Sequence, residues 1–495
     1  MAISHGTQIK KLASHSVIYG LGAYLDKFIG FLLIPLYTRY LLPADYGILA
    51  LLSIVSSLGF TFLNMGQSSA LFRSYFDHDT EEGRQTVIST ATLLTLSYCL
   101  PFICFYVFYA RPLSVLLLGD PRYVTLLILV GLTTIARVFL RIPFALLRAK
   151  EKSVQYSALS VSKGFLQILL SLMLVVGFGQ GVFGVLLANF ASEAIFCFVL
   201  VSGMLWVIKT WRFSGQTAKD LLSFGAPLVP AGIAGFVLNL SDRYFLKHYS
   251  TLHNVGLYSL GYRLGEVIWE IVSAVLIAYP PFVLANEKSP HARQLYARIS
   301  TYYFAGIGFI VLTLSVCAQE VVRVMAAPEY HEAYRVVALV AVGQLLRGFV
   351  FIGPVGLTLK RKTTYHALIA LLAAGLNLVL NFLWIPPYGM MGAAWATVVA
   401  FGVQAFLITG VSQWYYPLPF EYGRLFKLGL TGSAVYLAST WLPADGPLFF
   451  NLSVKAALLF FCPFLLLALR FFQAEERESA LGLVRTVRGR LGLVG

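Results

Sequence analysis

Long apolar stretches separated by short polar connections follow one another along the whole chain. A helix needs roughly 20 apolar residues to cross the hydrocarbon core of a bilayer. Fourteen windows of this kind, called segments 1 to 14 below, begin near Ala13, Tyr46, Thr86, Pro121, Gln155, Val182, Leu221, Asn254, Ile299, Ala333, Thr364, Met390, Gly423 and Phe450. No period-two alternation competes with them, so the pattern predicts an all-α polytopic membrane protein with 14 transmembrane helices.

Residues of segment 6, the last of the first six segments, recur in segment 12, the last of the next six. Gly181, Gly184, Ala188 and Phe198 correspond to Gly389, Gly392, Ala396 and Phe406, each 208 residues later. Tyr156, Ala158 and Leu159 correspond to Tyr365, Ala367 and Leu368, and Gly47 and Leu51 to Gly256 and Leu260, each 209 residues later. A nearly constant offset over three separated regions indicates a duplication. The predicted domains are an N-terminal six-helix lobe (1–214), a C-terminal six-helix lobe (215–420), two additional helices (421–471) and a basic tail (472–495).

The distribution of positive charge predicts the topology. If the N-terminus is inside, most of the 37 Lys and Arg residues fall in the even-numbered connections and the two tails, which are then cytoplasmic. Both termini are therefore predicted to be cytoplasmic. The net charge of +15 follows from this basic inner face beside anionic lipids, without any nucleic acid. A chain that is 58% hydrophobic and 12% charged is too apolar for a soluble globule of this length.

Charged residues inside the apolar segments are the candidates for function. A charge at a helix centre costs about 2.5–3.5 kcal/mol on insertion, so such residues normally face a polar or protein-lined interior. In segment 8, Arg263, Glu266 and Glu270 have the spacing i, i+3, i+7 of one helix face, with Tyr262 and Trp269 beside them. This face suits a sugar-phosphate ligand, because Arg binds phosphate oxygens bidentately. The alternative is a buried ion pair between helices.

Three other charged sets stand out. Segment 1 carries Asp26 and Lys27 among glycines, and segment 7, its repeat partner, is also broken by Gly and Pro; interrupted helices at matching positions indicate a transporter's substrate site. Arg137 and Arg347 match at an offset of 210 and are either phosphate-binding residues at an inner gate or anchors that extend to the interface. Lys163 and Glu193 are candidates for a pair between segments 5 and 6.

Catalytic and cofactor motifs are absent from the sequence. It has no G-x-x-x-x-G-K-[ST] phosphate loop and no H-E-x-x-H motif. We therefore predict a non-enzyme without a metal site or resident cofactor, driven by an ion or substrate gradient. No connection is long enough to fold into a soluble domain, so the function resides within the membrane.

Several local motifs resemble one transporter group. They are Ile34-Pro35-Leu36-Tyr37-Thr38-Arg39, Ala44-Asp45-Tyr46-Gly47, Gly225-Ala226-Pro227-Leu228-Val229-Pro230, Ser241-Asp242-Arg243-Tyr244 and Val255-Gly256-Leu257-Tyr258. With the six-plus-six duplication and two extra helices, the chain resembles the Wzx-type polysaccharide flippases of the multidrug/oligosaccharidyl-lipid/polysaccharide superfamily. The motifs separate this group from most transporters but poorly separate one substrate from another.

The resemblance implies a MATE-like fold of two bundles and a monomer in the bacterial inner membrane. The implied activity moves an undecaprenyl-diphosphate-linked oligosaccharide from the inner to the outer leaflet by alternating access. Lys27 and Arg263 then become candidate diphosphate ligands, and Asp26, Glu266 or Glu270 candidates for coupling a proton or sodium ion. Membrane lipids, a polysaccharide polymerase and a chain-length regulator are candidate partners. A cation-coupled multidrug exporter and a membrane-embedded polymerase or ligase of glycans remain as alternatives.

Overall fold

The computed structural model describes residues 29–208, 211–362, 364–442 and 446–473, together with Glu476 and Glu478. Within these ranges the chain is helical and contains no strand. The helices are α1 (29–40), α2 (Pro43–Asn64), α3 (Gln67–Phe76), α4 (Glu81–Leu118), α5 (Val124–Ala149), α6 (Ser153–Ser171), α7 (Gly181–Val207), α8 (Gly215–Gly225), α9 (Leu228–Tyr249), α10 (Leu252–Gly265), α11 (Val267–Asn286), α12 (Ala292–Val316), α13 (Ala318–Met325), α14 (Tyr334–Ile352), α15 (Val355–Leu359), α16 (Thr364–Tyr415), α17 (Tyr422–Thr440) and α18 (Leu448–Ala468).

Ten helical stretches of the described chain are long and apolar enough to cross a membrane. They are Pro43–Phe76, Glu81–Leu118, Pro121–Ala149, Ser153–Gly177, Gly181–Trp206, Leu252–Asn286, Ala292–Val316, Pro328–Leu359, Thr364–Tyr415 and Leu448–Ala468. These contain segments 2 to 6, 8 to 12 and 14. Segment 1 begins outside the described residues. Segment 7 covers the end of α8 and α9, and segment 13 forms α17; these helices are not among the ten membrane-length stretches. The total of fourteen and the cytoplasmic termini stay predictions.

Helix α16 contains two predicted segments. Its 52 residues would extend about 78 Å as a straight helix, whereas a bilayer core is roughly 30 Å thick. The backbone leaves helical geometry at Gly389 (φ 54°, ψ −131°), just after Pro386 and Pro387. Gly181, the repeat partner of Gly389, begins α7 with a φ of 52°. Glycine adopts positive φ at little cost, which explains why this pair recurs in both repeats.

The repeat-related glycines Gly47 and Gly256 pack against each other. A Cβ atom placed on Gly47 would lie 3.2 Å from the backbone nitrogen of Gly256, and one on Gly256 would lie 3.1 Å from that of Gly47. The same two atoms would also collide with the carbonyl oxygens of Leu252 and Pro43, respectively. The contact is reciprocal, so helices α2 and α10 approach each other through matching positions of the two repeats.

The helices form two compact units. Unit 1 takes in the described chain up to Gly261 together with Met325–Ala333 and His366–Ala400. Unit 2 takes in Tyr262–Val324, Tyr334–Tyr365 and the described chain from Phe401 onward. Buried residues of unit 1 that pack together include Leu71, Val87, Ala91 and Leu221, and those of unit 2 include Val272, Tyr296, Ala341 and Ile352. The division into lobes 1–214 and 215–420 stays a prediction.

Two polar contacts hold the C-terminal helices in unit 2. Lys455 of α18 and Glu320 of α13 form an ion pair, with 2.6 and 2.7 Å from Nζ to the two carboxylate oxygens, and both residues are buried. Beyond α18, the Glu476 carboxylate accepts hydrogen bonds from Arg424 at 2.8 Å and from the Tyr302 hydroxyl at 2.7 Å. The chain after α18 is therefore fastened to the first turn of α17 and to α12.

We expect Gly256→Ala to destabilise the protein, because its Cβ would meet the backbone of Pro43 and Gly47. Forcing extra atoms into a packed contact typically costs about 1–3 kcal/mol. Thermal unfolding in detergent measures this. Gly306→Ala in α12, where a Cβ meets nothing within 4 Å, is the matched control and should unfold no earlier than the wild type. Equal melting temperatures of the two variants would contradict the packing argument.

The contact at Glu476 makes stability depend on pH. Burial alone would raise the pKa of the Glu476 carboxyl, but hydrogen bonds from the Gln473 N–H, Tyr302 and Arg424 outweigh it and lower that pKa from its ordinary value of 4.5. A lowered pKa stabilises the folded state above pH 4.5, and the contribution disappears as pH falls through the folded-state value. Wild type should therefore melt above Glu476→Gln at pH 7 and converge with it in acid.

Melting curves of both proteins at pH 7, 5 and 4 check this expectation. Glu478→Gln, an exposed position two residues further on, controls for the change of side chain and should follow the wild type throughout. A constant difference between wild type and Glu476→Gln over the whole pH range would contradict the assignment.

Candidate functional site

The charged face predicted on segment 8 lies at the junction of α10 and α11, in unit 2. The two helices are separated only by Glu266, whose backbone stays helical (φ −67°, ψ −14°). Its N–H donates to the Tyr262 carbonyl, and its own carbonyl accepts from the Trp269 N–H, both at 2.8 Å. The second bond spans three residues instead of four, so the helix tightens here and the single continuous face expected from sequence is interrupted at Glu266.

Arg347 of α14 lies against this junction. Its guanidinium carbon is 3.7 Å from the centre of the Trp269 ring and 5.9 Å from that of Phe401. One guanidinium nitrogen donates to the side-chain oxygen of Gln344 at 3.2 Å. Arg347 also interacts electrostatically with Glu266 and Glu270. The structure therefore brings a residue predicted at a gate together with the residues predicted to bind substrate.

Gln344 completes this cluster and was not singled out from the sequence. It is fully buried, and its amide nitrogen donates to the Tyr262 hydroxyl at 3.5 Å. The available signal was a polar residue in an apolar segment, almost one helical turn before Arg347. Arg263 and Glu270 are half-buried and have interactions of their own. We call Tyr262, Glu266, Trp269, Glu270, Gln344 and Arg347 the tryptophan cluster.

The chemistry of the tryptophan cluster is mixed. A guanidinium above an indole ring is held by cation–π attraction and keeps N–H groups for phosphate or hydroxyl oxygens. Glu266 and Glu270 add acceptors for hydroxyl or ammonium donors. Trp269 is only half-buried, so part of its ring remains accessible. Such a group of side chains can bind a ligand that combines sugar rings with phosphate.

A second charged cluster lies in unit 1, near the middle of three membrane-length helices. Glu193 of α7 accepts from the Lys163 ammonium of α6 at 3.0 Å, and the Arg137 guanidinium of α5 lies 3.5 Å from the same oxygen. The pair that the sequence suggested between Lys163 and Glu193 is therefore present. Arg141, one turn after Arg137, interacts electrostatically with Glu193. We call these four residues the Glu193 cluster.

The two halves place aromatic rings at matching positions beneath arginines that do not match. In unit 1, the Arg141 guanidinium lies 5.2 Å from the ring centre of Phe60. Phe60 stands 209 residues before Trp269, while the arginine over Trp269, Arg347, corresponds to Arg137 and not to Arg141. Glu193 stands 208 residues before Phe401. The position that holds Glu193 in the first half is thus occupied by an aromatic residue in the second half.

Asp242 and Arg243 form a buried polar network in unit 1. The Asp242 carboxylate accepts from the Tyr258 hydroxyl and, at 2.8 Å, from the Arg243 N–H. The Arg243 guanidinium donates to the Asn239 carbonyl at 2.9 Å and to the Ser259 hydroxyl at 3.3 Å. Both residues are buried. Arg243 is therefore held inside the protein by groups of α9 and α10.

Asp26 and Lys27 lie outside the described residues, so their predicted roles stay predictions. Of the remaining predicted site residues, Arg137 is in the Glu193 cluster, while Arg347, Glu266, Glu270, Tyr262 and Trp269 are in the tryptophan cluster. Arg263 follows Tyr262 on α10, and its role stays a prediction.

Comparison with known proteins defines the class. The family model described as "Polysaccharide biosynthesis protein" matches residues 36–335, and the chain belongs to that family. A curated relative, "Probable low-salt glycan biosynthesis flippase Agl15" of Haloferax volcanii, is 22% identical over 54% of this chain. The alignment covers 60% of that relative, so the chain spans less than two thirds of its length.

Solved structures show the fold. The inward closed conformation of the lipid II flippase MurJ superposes with a TM-score of 0.71 at 12% identity, over 91% of this chain and 98% of MurJ. An outward-facing multidrug resistance MATE transporter of the MOP superfamily superposes with a TM-score of 0.57 at 15% identity, over 84% of this chain and 98% of the transporter. The protein is thus a multi-pass membrane protein of polysaccharide biosynthesis with a MurJ- and MATE-like fold, similar to flippases and transporters rather than enzymes.

The Asp242 network yields a prediction about stability. Tyr258→Phe removes a hydrogen-bond donor from a buried carboxylate while keeping the ring. Leaving a buried polar group without its partner costs about 1–3 kcal/mol, and more for a charged group. We expect a lower melting temperature than for the wild type. Tyr244→Phe is the control, because Tyr244 is exposed and lies on α9, the helix that carries Asp242. Equal melting temperatures of the two variants would contradict the role of Tyr258.

Proposed function

We propose that the protein is a flippase that moves an undecaprenyl-diphosphate-linked oligosaccharide from the inner to the outer leaflet of the bacterial cytoplasmic membrane. The substrate is a polyprenyl-diphosphate-linked glycan for surface or exported polysaccharide. Transport proceeds by alternating access without ATP hydrolysis. The family and the fold support a role in transport. The charged and aromatic side chains of the tryptophan cluster support the phosphate and sugar parts of the substrate.

The observation that carries this proposal is the position of Arg347 over Trp269, beside Glu266 and Glu270. Its guanidinium is held at 3.7 Å from the ring centre within a membrane-length helical stretch. Charge at that depth is costly unless a ligand or protein partner uses it. A cation, an accessible ring and carboxylates together match the phosphate and sugar parts of one ligand. Arg263 and Lys27 are proposed as further diphosphate ligands.

Other parts of the proposal rest on fewer contacts. Asp26, Glu266 and Glu270 are proposed as sites for a coupling proton or sodium ion, and Arg137 and Arg347 as residues of the inner gate. The protein acts as a monomer among membrane lipids, and its proposed partners are a polysaccharide polymerase and a chain-length regulator. A cation-coupled multidrug exporter is the second candidate, because Glu266 and Glu270 also suit a cationic drug.

Replacing Arg347 by Gln tests the proposal. The variant loses a charge-assisted contact worth about 1.5–3 kcal/mol, so we expect roughly tenfold to hundredfold weaker substrate binding. Lipid-linked oligosaccharide should then accumulate in the inner leaflet, measured by leaflet-resolved labelling in a deletion strain that carries the variant. Lys362→Gln, in an exposed connection, is the control and should restore transport. Normal delivery by Arg347→Gln would reject the proposed site, and export of a cationic drug in its place would favour the second candidate.

A further inference from the structure

The Glu193 cluster carries more positive than negative charge. Arg137, Arg141 and Lys163 supply three cations, and Glu193 is the one carboxylate among them. Both close contacts converge on the same oxygen, Oε1. The other oxygen, Oε2, is buried and has no hydrogen-bond partner in the part of the chain that the structure describes. The carboxylate therefore neutralises only part of the charge around it.

Neighbouring polar groups fix the helices on which these residues lie. The Ser192 hydroxyl donates to the backbone carbonyl of Lys163 at 2.9 Å. One turn away, the Gln167 amide donates to the side-chain oxygen of Asn189. These two contacts join α6 and α7 at the ion pair and one turn away from it. A ligand that displaces the Glu193 carboxylate from Lys163 would therefore leave the helix contact itself in place.

Access to the cluster is uneven. The side chain of Glu193 is 10% exposed and that of Lys163 is 16%, while the side chain of Arg137 is 40% exposed. An anion can thus reach the Arg137 guanidinium first and Lys163 next. Carboxylate and phosphate oxygens make the same charge-assisted hydrogen bonds to both groups, so a phosphate can replace the Glu193 carboxylate on them.

We propose that Glu193 is a displaceable counter-ion: a phosphate group of the ligand takes over Lys163 and Arg137, and the released carboxylate takes up one proton from a buffer acid or hydronium ion of the solvent. The O–H bond formed on Glu193 replaces the bond that the proton had in that acid, whose conjugate base stays in the solvent. A buried carboxylate that has lost two of its three cationic neighbours is costly to keep charged, which drives the uptake. The idea rests on the proposed function, and it adds that binding of the lipid diphosphate and proton uptake occur together.

The surroundings of Glu193 contain few other groups that could titrate in its place. Arg137 and Arg141 face it from α5, Lys163 from α6, and Cys197 interacts with it from its own helix. Helix α2, which also packs on α7, carries only Asp45 and Tyr46 as titratable groups, both in its first turn. The π-helix Leu172–Gly177 carries none.

The second repeat has no lysine and no glutamate at the positions that correspond to Lys163 and Glu193. Positions 209 residues after Lys163 and 208 residues after Glu193 are Leu372 and Phe401. Arg347 corresponds to Arg137, yet it lies beside Phe401 and has no carboxylate there. A carboxylate at the Glu193 position is therefore found in the first half and not in the second, where Glu266 and Glu270 lie on a different segment.

Calorimetric titration of the full-length protein in lipid nanodiscs with undecaprenyl diphosphate tests the proposal. Repeating the titration in buffers of different ionisation enthalpy gives the number of protons taken up. For the wild type we expect close to one proton per ligand at pH 7–8. The affinity should fall with rising pH by up to about tenfold per unit, the limit for one linked proton. This measurement on the unmodified protein needs no variant to fold.

Variants identify the group that takes up the proton. Glu193→Gln should bind without that proton and with an affinity that varies less with pH, whereas Glu193→Asp should retain the uptake. Glu287→Gln, an exposed glutamate at the end of α11, is the matched control and should behave as the wild type. Protonation of the ligand itself is common to all four proteins and cancels in the comparison.

The outcomes separate the two proposals. Binding by the wild type without proton uptake, or equal uptake by Glu193→Gln, would overturn the counter-ion role while leaving the flippase proposal intact. Failure of both the wild type and Glu287→Gln to bind undecaprenyl diphosphate would reject the proposed function, and the counter-ion role with it.

Discussion

Hydrocarbon cannot hydrogen-bond to a peptide group or solvate a charge, and this constraint governs the described structure. The membrane-length stretches are helical apart from short breaks such as those at Met65–Gly66 and Gly389, since a helix satisfies its own N–H and C=O groups. The same constraint acts on side chains. Lys455 lies against Glu320 at 2.6 Å, and Asp242 accepts from Tyr258 and Arg243. Each of these charges is compensated by protein atoms.

Exposure distinguishes the charges that hold the fold from those available to a ligand. Glu320 and Lys455 are 2% and 5% exposed, and removing one partner of such a pair costs about 3–5 kcal/mol because the other remains buried. Arg137, by contrast, is substantially accessible, and Trp269 is half-buried above its guanidinium partner. A ligand-binding role is accordingly proposed for these residues and not for the Glu320–Lys455 pair.

The sequence predicted what depends on one helix, and it could not predict what depends on two. The lengths of the apolar stretches located the membrane-length helices, and helical spacing placed Tyr262, Glu266 and Trp269 near one another. Both properties are local in the chain. Nothing in the segment of Arg347 indicates that its guanidinium lies over Trp269, which belongs to another helix. Gln344 was missed for the same reason, as its partner Tyr262 is on another element. The tightened turn at Glu266 also has no sequence signal, because no Pro occupies it.

The duplication helps to explain where the two halves agree and where they differ. Gly47 with Gly256, and Gly181 with Gly389, recur because backbone contact or positive φ leaves no room for another residue. Side chains at the candidate sites have no such restriction. Phe60 and Trp269 keep an aromatic ring beneath an arginine, while Glu193 and Phe401 differ in charge. Shared backbone geometry with different charges therefore gives each repeat its own surface chemistry on the same scaffold.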